Sequence, residues 1–161
     1  MSKLMALGER GFEVWVGNGS TGSLAQKVMV GTGSGAVLAW QRLKAIALTK
    51  GRVTVPQTAW TTLLVSTVTG TGLGNLQGVY SWGTDVLQFL SFTRSVRLLV
   101  NGTQVAYQTG SFSNNGWAVT LNTGPYRFYE GDVVEVQAYT TGTNRTSARN
   151  VDSSALNLTL V

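Results

Sequence analysis

The sequence predicts an all-β fold, an antiparallel sandwich or barrel preceded by a small module of short β-hairpins. Three observations carry this. After residue 52, apolar and polar residues alternate in short runs rich in β-branched side chains. Gly and Asn-Gly turn signals separate those runs. Ahead of them, residues 12–40 hold a glycine-rich phrase written twice.

The repeat comes first in the chain. Val14, Gly17, Gly19 and Ser20 recur 14 residues later as Val28, Gly31, Gly33 and Ser34, and Gly22 matches Gly35 after the loss of one residue. Each copy is an apolar run, then glycines, then a second apolar run. That reads as strand, tight turn and return strand. Two hairpins of this size cannot bury a core alone. They must rest on another chain or on further copies of themselves; a decorated flexible linker is the plainer alternative. Read as an attachment device, the module presents Val14, Trp15, Gly17, Gly19, Lys27, Val28, Gly31, Gly33 and Trp40 to its neighbours.

Residues 41–51, "QRLKAIALTKG", change character. Leu43, Ile46 and Ala47 fall at helical spacing and Gly51 follows as a stop signal. One or two helical turns fit, and so does an extended linker with a basic face. This segment closes the first unit, giving an attachment module over 1–51 and a sandwich over 52–161.

From Arg52 the chain reads as strands. "SVRLLVNGTQVAYQTG" is a hairpin: Val96, Leu98 and Val100 share one face, and Asn101-Gly102 is the pair favoured in type I′ turns. In "GWAVTLNTG", Trp117, Val119 and Leu121 share a face. After Gly131-Asp132, Val134, Val136 and Ala138 point inward while Glu135 and Gln137 point outward. In "ALNLTLV", Leu156, Leu158 and Leu160 face the core. Regularly spaced strands of this kind build a sandwich or barrel, and about 110 residues suffice for an independent core.

Charge is sparse and unevenly placed. The chain carries 12 Lys and Arg against 7 Asp and Glu. Residues 1–52 hold seven of the basic side chains and two of the acidic ones, and the rest balance. The basic residues are spread rather than clustered, which argues against nucleic acid and suits docking on an acidic protein. With no histidine and no cysteine, the usual general base, thiol nucleophile and thiolate zinc site are all missing. Glu130 and Asp132 flank a turn glycine, which fits chain reversal better than catalysis. "GTGSG" lacks the lysine of a phosphate loop. The expectation is a non-enzymatic protein with no cofactor and no metal. No apolar run approaches the roughly 20 residues that span a bilayer, and "MSKLMALGERGFE" lacks an unbroken signal-peptide stretch, so neither membrane insertion nor secretory targeting is expected. A glycan or receptor contact is open to Tyr129, Tyr139, Asn144 and Arg145: rings stack on sugar faces, and residues 140–150 are loop-like and polar.

Two resemblances bear on function. "VWVGNGS…KVMVGTGSGAVLAW" resembles a glycine-turned hairpin element repeated in minor tail proteins and related virion proteins of bacteriophages. "PYRFYEGDVVEVQAY" with a final apolar strand is similar to the jelly roll of the tumour-necrosis-factor and complement type. Together they imply a virion protein made in the host cytoplasm. It would bind other virion proteins through residues 1–51 and project a homotrimeric jelly roll. A minor tail or tail-tip role is the first expectation. A capsid decoration protein or head fibre is the second, and a carbohydrate-binding module the third.

Overall fold

The computed structural model describes residues 15–18, 21–24, 27–32, 35–56, 58–83, 91–113, 116–141 and 150–161, and of residues 15–40, 91–92 and 111–113 the backbone alone. Val14, Gly19, Gly33, Asn144 and Arg145 lie outside the described residues. The chain divides into two compact units, Met1–Arg42 and Leu43–Val161.

Among the described residues, the first unit holds two antiparallel ribbons. β1 (Trp15–Asn18) pairs with β2 (Thr21–Leu24), and β3 (Lys27–Thr32) pairs with β4 (Gly35–Gln41). Their registers are the same 14 residues apart. Trp15 faces Leu24 as Met29 faces Leu38, Gly17 faces Gly22 as Gly31 faces Ala36, and Asn18 faces Thr21 as Thr32 faces Gly35. Gly22 is therefore equivalent to Ala36. The lost residue that a Gly22–Gly35 match requires is not lost, because pairing register sets the equivalence. Both connections consist of the same dipeptide, Gly-Ser, of the class favoured in two-residue hairpin loops.

The second unit is a jelly-roll sandwich. Its strands are β5 (Ile46–Lys50), β6 (Val53–Thr54), β7 (Thr61–Thr67), β8 (Gly72–Trp82), β9 (Ser91–Val100), β10 (Thr103–Ser113), β11 (Trp117–Phe128), β12 (Val133–Thr141) and β13 (Asn150–Leu160). One sheet runs β10-β9-β12-β7. The other runs β11-β8-β13-β5, with β6 also on β13, and every pairing is antiparallel. From β7 to β13 each connection crosses between the sheets except the β9–β10 hairpin, the winding of a jelly roll.

Alternation sorts the side chains as the sequence predicts. Val96, Leu98 and Val100, then Val134, Val136 and Ala138, meet Leu76, Tyr80, Val119, Leu121, Leu156 and Leu158 in one buried core. Trp117 and Tyr126 pack against it. Leu160 departs from the pattern at 45% exposure, because the strand ends there and the core no longer covers it. The Asn101-Gly102 turn has φ of 50° and 75°, both positive as type I′ requires. Asp132 closes the turn before β12: its Oδ2 accepts the Tyr129 amide hydrogen and its Oδ1 accepts Asn101 Nδ2, each at 2.8 Å.

Residues 41–51 differ from both sequence readings. Ile46–Lys50 is neither helix nor linker but a strand on β13, with Leu156 facing Leu48 and Leu158 facing Ile46. Leu43 is 3% exposed and lies over Gly72 and Gly74, where a side chain would collide with it. Its amide donates to Thr71 O at 3.2 Å. The helical spacing of Leu43, Ile46 and Ala47 thus arises from a buried anchor followed by a strand. The boundary falls after Arg42, nine residues before the one read from composition.

Candidate functional site

Two bulges assemble a cross-strand row on the outer face of the β10-β9-β12-β7 sheet. In β10 the register shifts between Gln104 and Ala106, and β12 and β7 shift between Val136 and Gln137. A bulge turns the following residues to the other face and re-aims them. As a result Tyr107 faces Arg97, Arg97 faces Gln137, and Gln137 faces Thr62, one residue from each of four strands. The next row holds Thr109, Ser95 and Tyr139. Trp60, immediately before β7, extends it.

The side chains lock together. Arg97 donates from Nε at 2.9 Å and Nη2 at 2.7 Å to the single oxygen Gln137 Oε1. Gln137 Nε2 donates to Glu135 Oε2 at 3.0 Å and to Thr62 Oγ1 at 3.1 Å. Thr62 Oγ1 in turn donates to Glu135 Oε2 at 3.1 Å. The amide therefore spaces one cation from one carboxylate. The Arg97 guanidinium lies 4.0 Å from the Trp60 ring centroid, a cation–π contact. Trp60 also packs on Tyr139, centroids 5.3 Å apart, and meets Tyr107 edge-on at 6.4 Å. The chain reaches Trp60 through Thr58, whose φ of 61° is unusual for a β-branched residue, and the Thr58 amide donates to Thr140 O on β12.

Of the four residues singled out for a glycan or receptor, Tyr129 and Tyr139 are among the described residues, and of these two Tyr139 belongs to this cluster. Tyr129 is 56% exposed in the turn before β12. Six residues of extended strand separate Val133 from Tyr139, about 20 Å, so the two tyrosines stand at opposite ends of the sandwich. Trp60 and Arg97 were missed. Trp60 precedes its strand, where no alternation marks it, and the rows depend on bulges that no residue type announces.

The opposite outer face, on β11-β8-β13-β5, differs in kind. Its rows read Asn122–Gln77–Asn157–Ala47 and Thr120–Val79–Ala155–Thr49. Gln77 Nε2 donates to Asn122 Oδ1 at 3.2 Å, and Asn157 Nδ2 donates to Gln77 Oε1 at 3.4 Å. Neither row carries a charge. Among the described residues no group of three metal-ligating side chains occurs, and no helix is long and apolar enough to cross a membrane.

Fold and surface define a jelly-roll β-sandwich with one aromatic and polar outer face and one whose central rows carry no charge. No protein-family model and no curated protein matches the chain. Solved structures show distant similarity, and two of them illustrate it. One is the structure of the infectious bursal disease virus Gx strain, 10% identical with a TM-score of 0.42, covering 99% of this chain and 37% of that one. This chain thus spans little more than a third of that protein's length. The other is a family 35 carbohydrate-binding module from Clostridium thermocellum, 16% identical with a TM-score of 0.27, covering 82% of this chain and 87% of that one. The jelly-roll assignment rests on the strand order of this chain itself.

Proposed function

We propose that this protein is a structural component of a tailed-phage particle, a minor tail or tail-tip protein. Residues 1–42 attach it to neighbouring virion proteins and residues 43–161 form the projecting unit. The observation that carries the reading is the shared register of the two ribbons. Two ribbons of one design, 14 residues apart, are each too small to bury a core of their own. Such ribbons gain stability when neighbours in an assembly complete them. The sandwich needs no such help.

In this reading the sandwich is a homotrimer joined through the β11-β8-β13-β5 face. Interface centres are depleted of charge, and the central rows of that face have none. The opposite face, with Arg97 and Glu135, is left outward. The test is particle incorporation. Density-purified particles should contain the full chain, and particles assembled with the 43–161 chain alone should lack it. Purified particles without the full chain would overturn the proposal.

A further inference from the structure

We propose that the outer face of the β10-β9-β12-β7 sheet binds a neutral glycan, with Tyr107 as the stacking ring. Tyr107 is 47% exposed, yet it is held at two points. Its hydroxyl donates to Ser95 Oγ at 3.4 Å, and its ring meets Trp60 at 64°. Ser95 is itself fixed by Thr109 Oγ1 at 2.8 Å. A ring that is both exposed and immobilised has already lost the freedom that binding would otherwise remove. Trp60, engaged by Arg97 and Tyr139, serves as the wall behind it.

Polar groups on the same face suit hydroxyls: Arg97 lies opposite Tyr107, and Glu135 lies two strands and one row away from it. Arg97 uses Nε and Nη2 on Gln137, which leaves Nη1 as a donor with no partner among the described residues. Glu135 uses Oε2 for Gln137 and Thr62, which leaves Oε1 as an acceptor in the same position. A sugar hydroxyl both donates and accepts, so neighbouring hydroxyls can satisfy both groups. Arg97 and Glu135 sit one row apart on this face, about 7 Å along the strands, which matches the span of one sugar ring. Their charges oppose, so an acidic ligand gains at Arg97 and loses at Glu135, and a basic ligand does the reverse. Neutral saccharides lose at neither. The site belongs to the sandwich alone, so it stands or falls independently of any virion role.

The experiment uses the full chain on an array of neutral oligosaccharides beside sialylated and uronate-containing ones. Neutral glycans should be retained. Affinity for a retained glycan should fall about 30-fold in Tyr107→Ala, the scale of an aromatic hot spot, and should also fall in Glu135→Gln. Tyr107 is half exposed, so its truncation should leave the melting temperature close to wild type, and matched melting curves separate lost binding from lost folding. Retention of acidic glycans alone would overturn the neutral assignment. Retention of none, or retention indifferent to Tyr107→Ala, would overturn the site. Loss of self-association in Tyr107→Ala would assign the face to a second copy of the chain and also overturn it.

Discussion

The Cβ that Gly78 lacks would stand 2.6 Å from Leu98 Cδ2 on the facing sheet and 2.9 Å from Val136 Cγ1. Gly78 lies in the middle of β8, with Leu76 and Tyr80 buried on either side of it along the same face. The two sheets approach over this glycine. Leu98 and Val136 are both fully buried and have no free direction in which to retreat. Gly78→Ala should therefore destabilise the sandwich by about 1–3 kcal/mol, the usual penalty of overpacking. Gly51→Ala is the control, since nothing lies within 4 Å of its added Cβ. Urea unfolding of both variants checks this. A Gly78→Ala protein as stable as wild type would contradict the close approach.

The Tyr80 hydroxyl bridges the sheets, donating to Arg97 O at 2.8 Å. Burial raises its pKa far above the ordinary value of 10.0, although a hydrogen bond with the Gln137 backbone opposes the shift. The sign follows from linkage. Above pH 10 the unfolded chain releases a proton that the native state retains. The stabilisation is complete below the unfolded pKa and declines as pH rises beyond it, by at most about 1.4 kcal/mol per pH unit for one group. Tyr80→Phe should cost about 1 kcal/mol at neutral pH through the lost hydrogen bond. It should also flatten the alkaline fall in stability. Denaturant midpoints of both proteins between neutral pH and about pH 11 test this, and equal slopes would contradict it.

Asn101 is the hinge of the clearest hairpin. Its positive φ suits Asn far better than Ala. Its Nδ2 donates to Asp132 Oδ1 and its Oδ1 accepts the Val133 amide hydrogen, both at 2.8 Å, which ties the β9–β10 turn to the start of β12. Asn101→Ala removes two exposed hydrogen bonds and adds backbone strain, for about 1–3 kcal/mol. Asn101→Gly keeps the backbone conformation and should lose less. Thermal melts of the two variants give the comparison, and an equal loss would show that strain contributes nothing.

Much of this fold was legible because its signals are local. Alternation places Val134, Val136 and Ala138 inside without reference to any partner strand, and Asn101-Gly102 names its own turn type. Glu130 and Asp132 read correctly as turn residues, and the Glu130 carboxylate does accept the Gly70 amide hydrogen. The aromatic face was not legible, because it is a relationship among four strands. The extra residue at Val105 decides that Tyr107 stands opposite Arg97 rather than one position away. Bulges cost one residue of register and leave no compositional mark. The fate of residues 46–50 was hidden for a related reason: their partner, β13, lies more than 100 residues downstream.

The trimer is tested at Val79 and Ala155, which face each other in a charge-free central row of β8 and β13. Light scattering of the full chain at micromolar concentration should give three times the chain mass of 17.1 kDa. Val79→Lys places a charge at the centre of the proposed interface and should yield monomer with little change in fold, because the side chain projects away from the core. A wild-type monomer, or a trimer untouched by Val79→Lys, would exclude this face.

The position of β5 makes the domain boundary a sharp experiment. β13 lies between β8 and β5, and Leu48 and Ile46 stand opposite Leu156 and Leu158 along its outer edge. A chain of residues 43–161 keeps Leu43 over Gly72 and Gly74 and keeps β13 paired on both sides. It should unfold in one cooperative transition. A chain of residues 52–161 loses both features. Part of β13 then becomes an exposed edge carrying apolar residues, a template for pairing with other chains. The shorter chain should be less stable by several kcal/mol, on the scale of deleting buried Leu side chains, and should aggregate at concentrations where the longer one does not. Urea unfolding and size-exclusion chromatography of the two chains decide the matter, and equal behaviour would place the boundary after residue 51 instead.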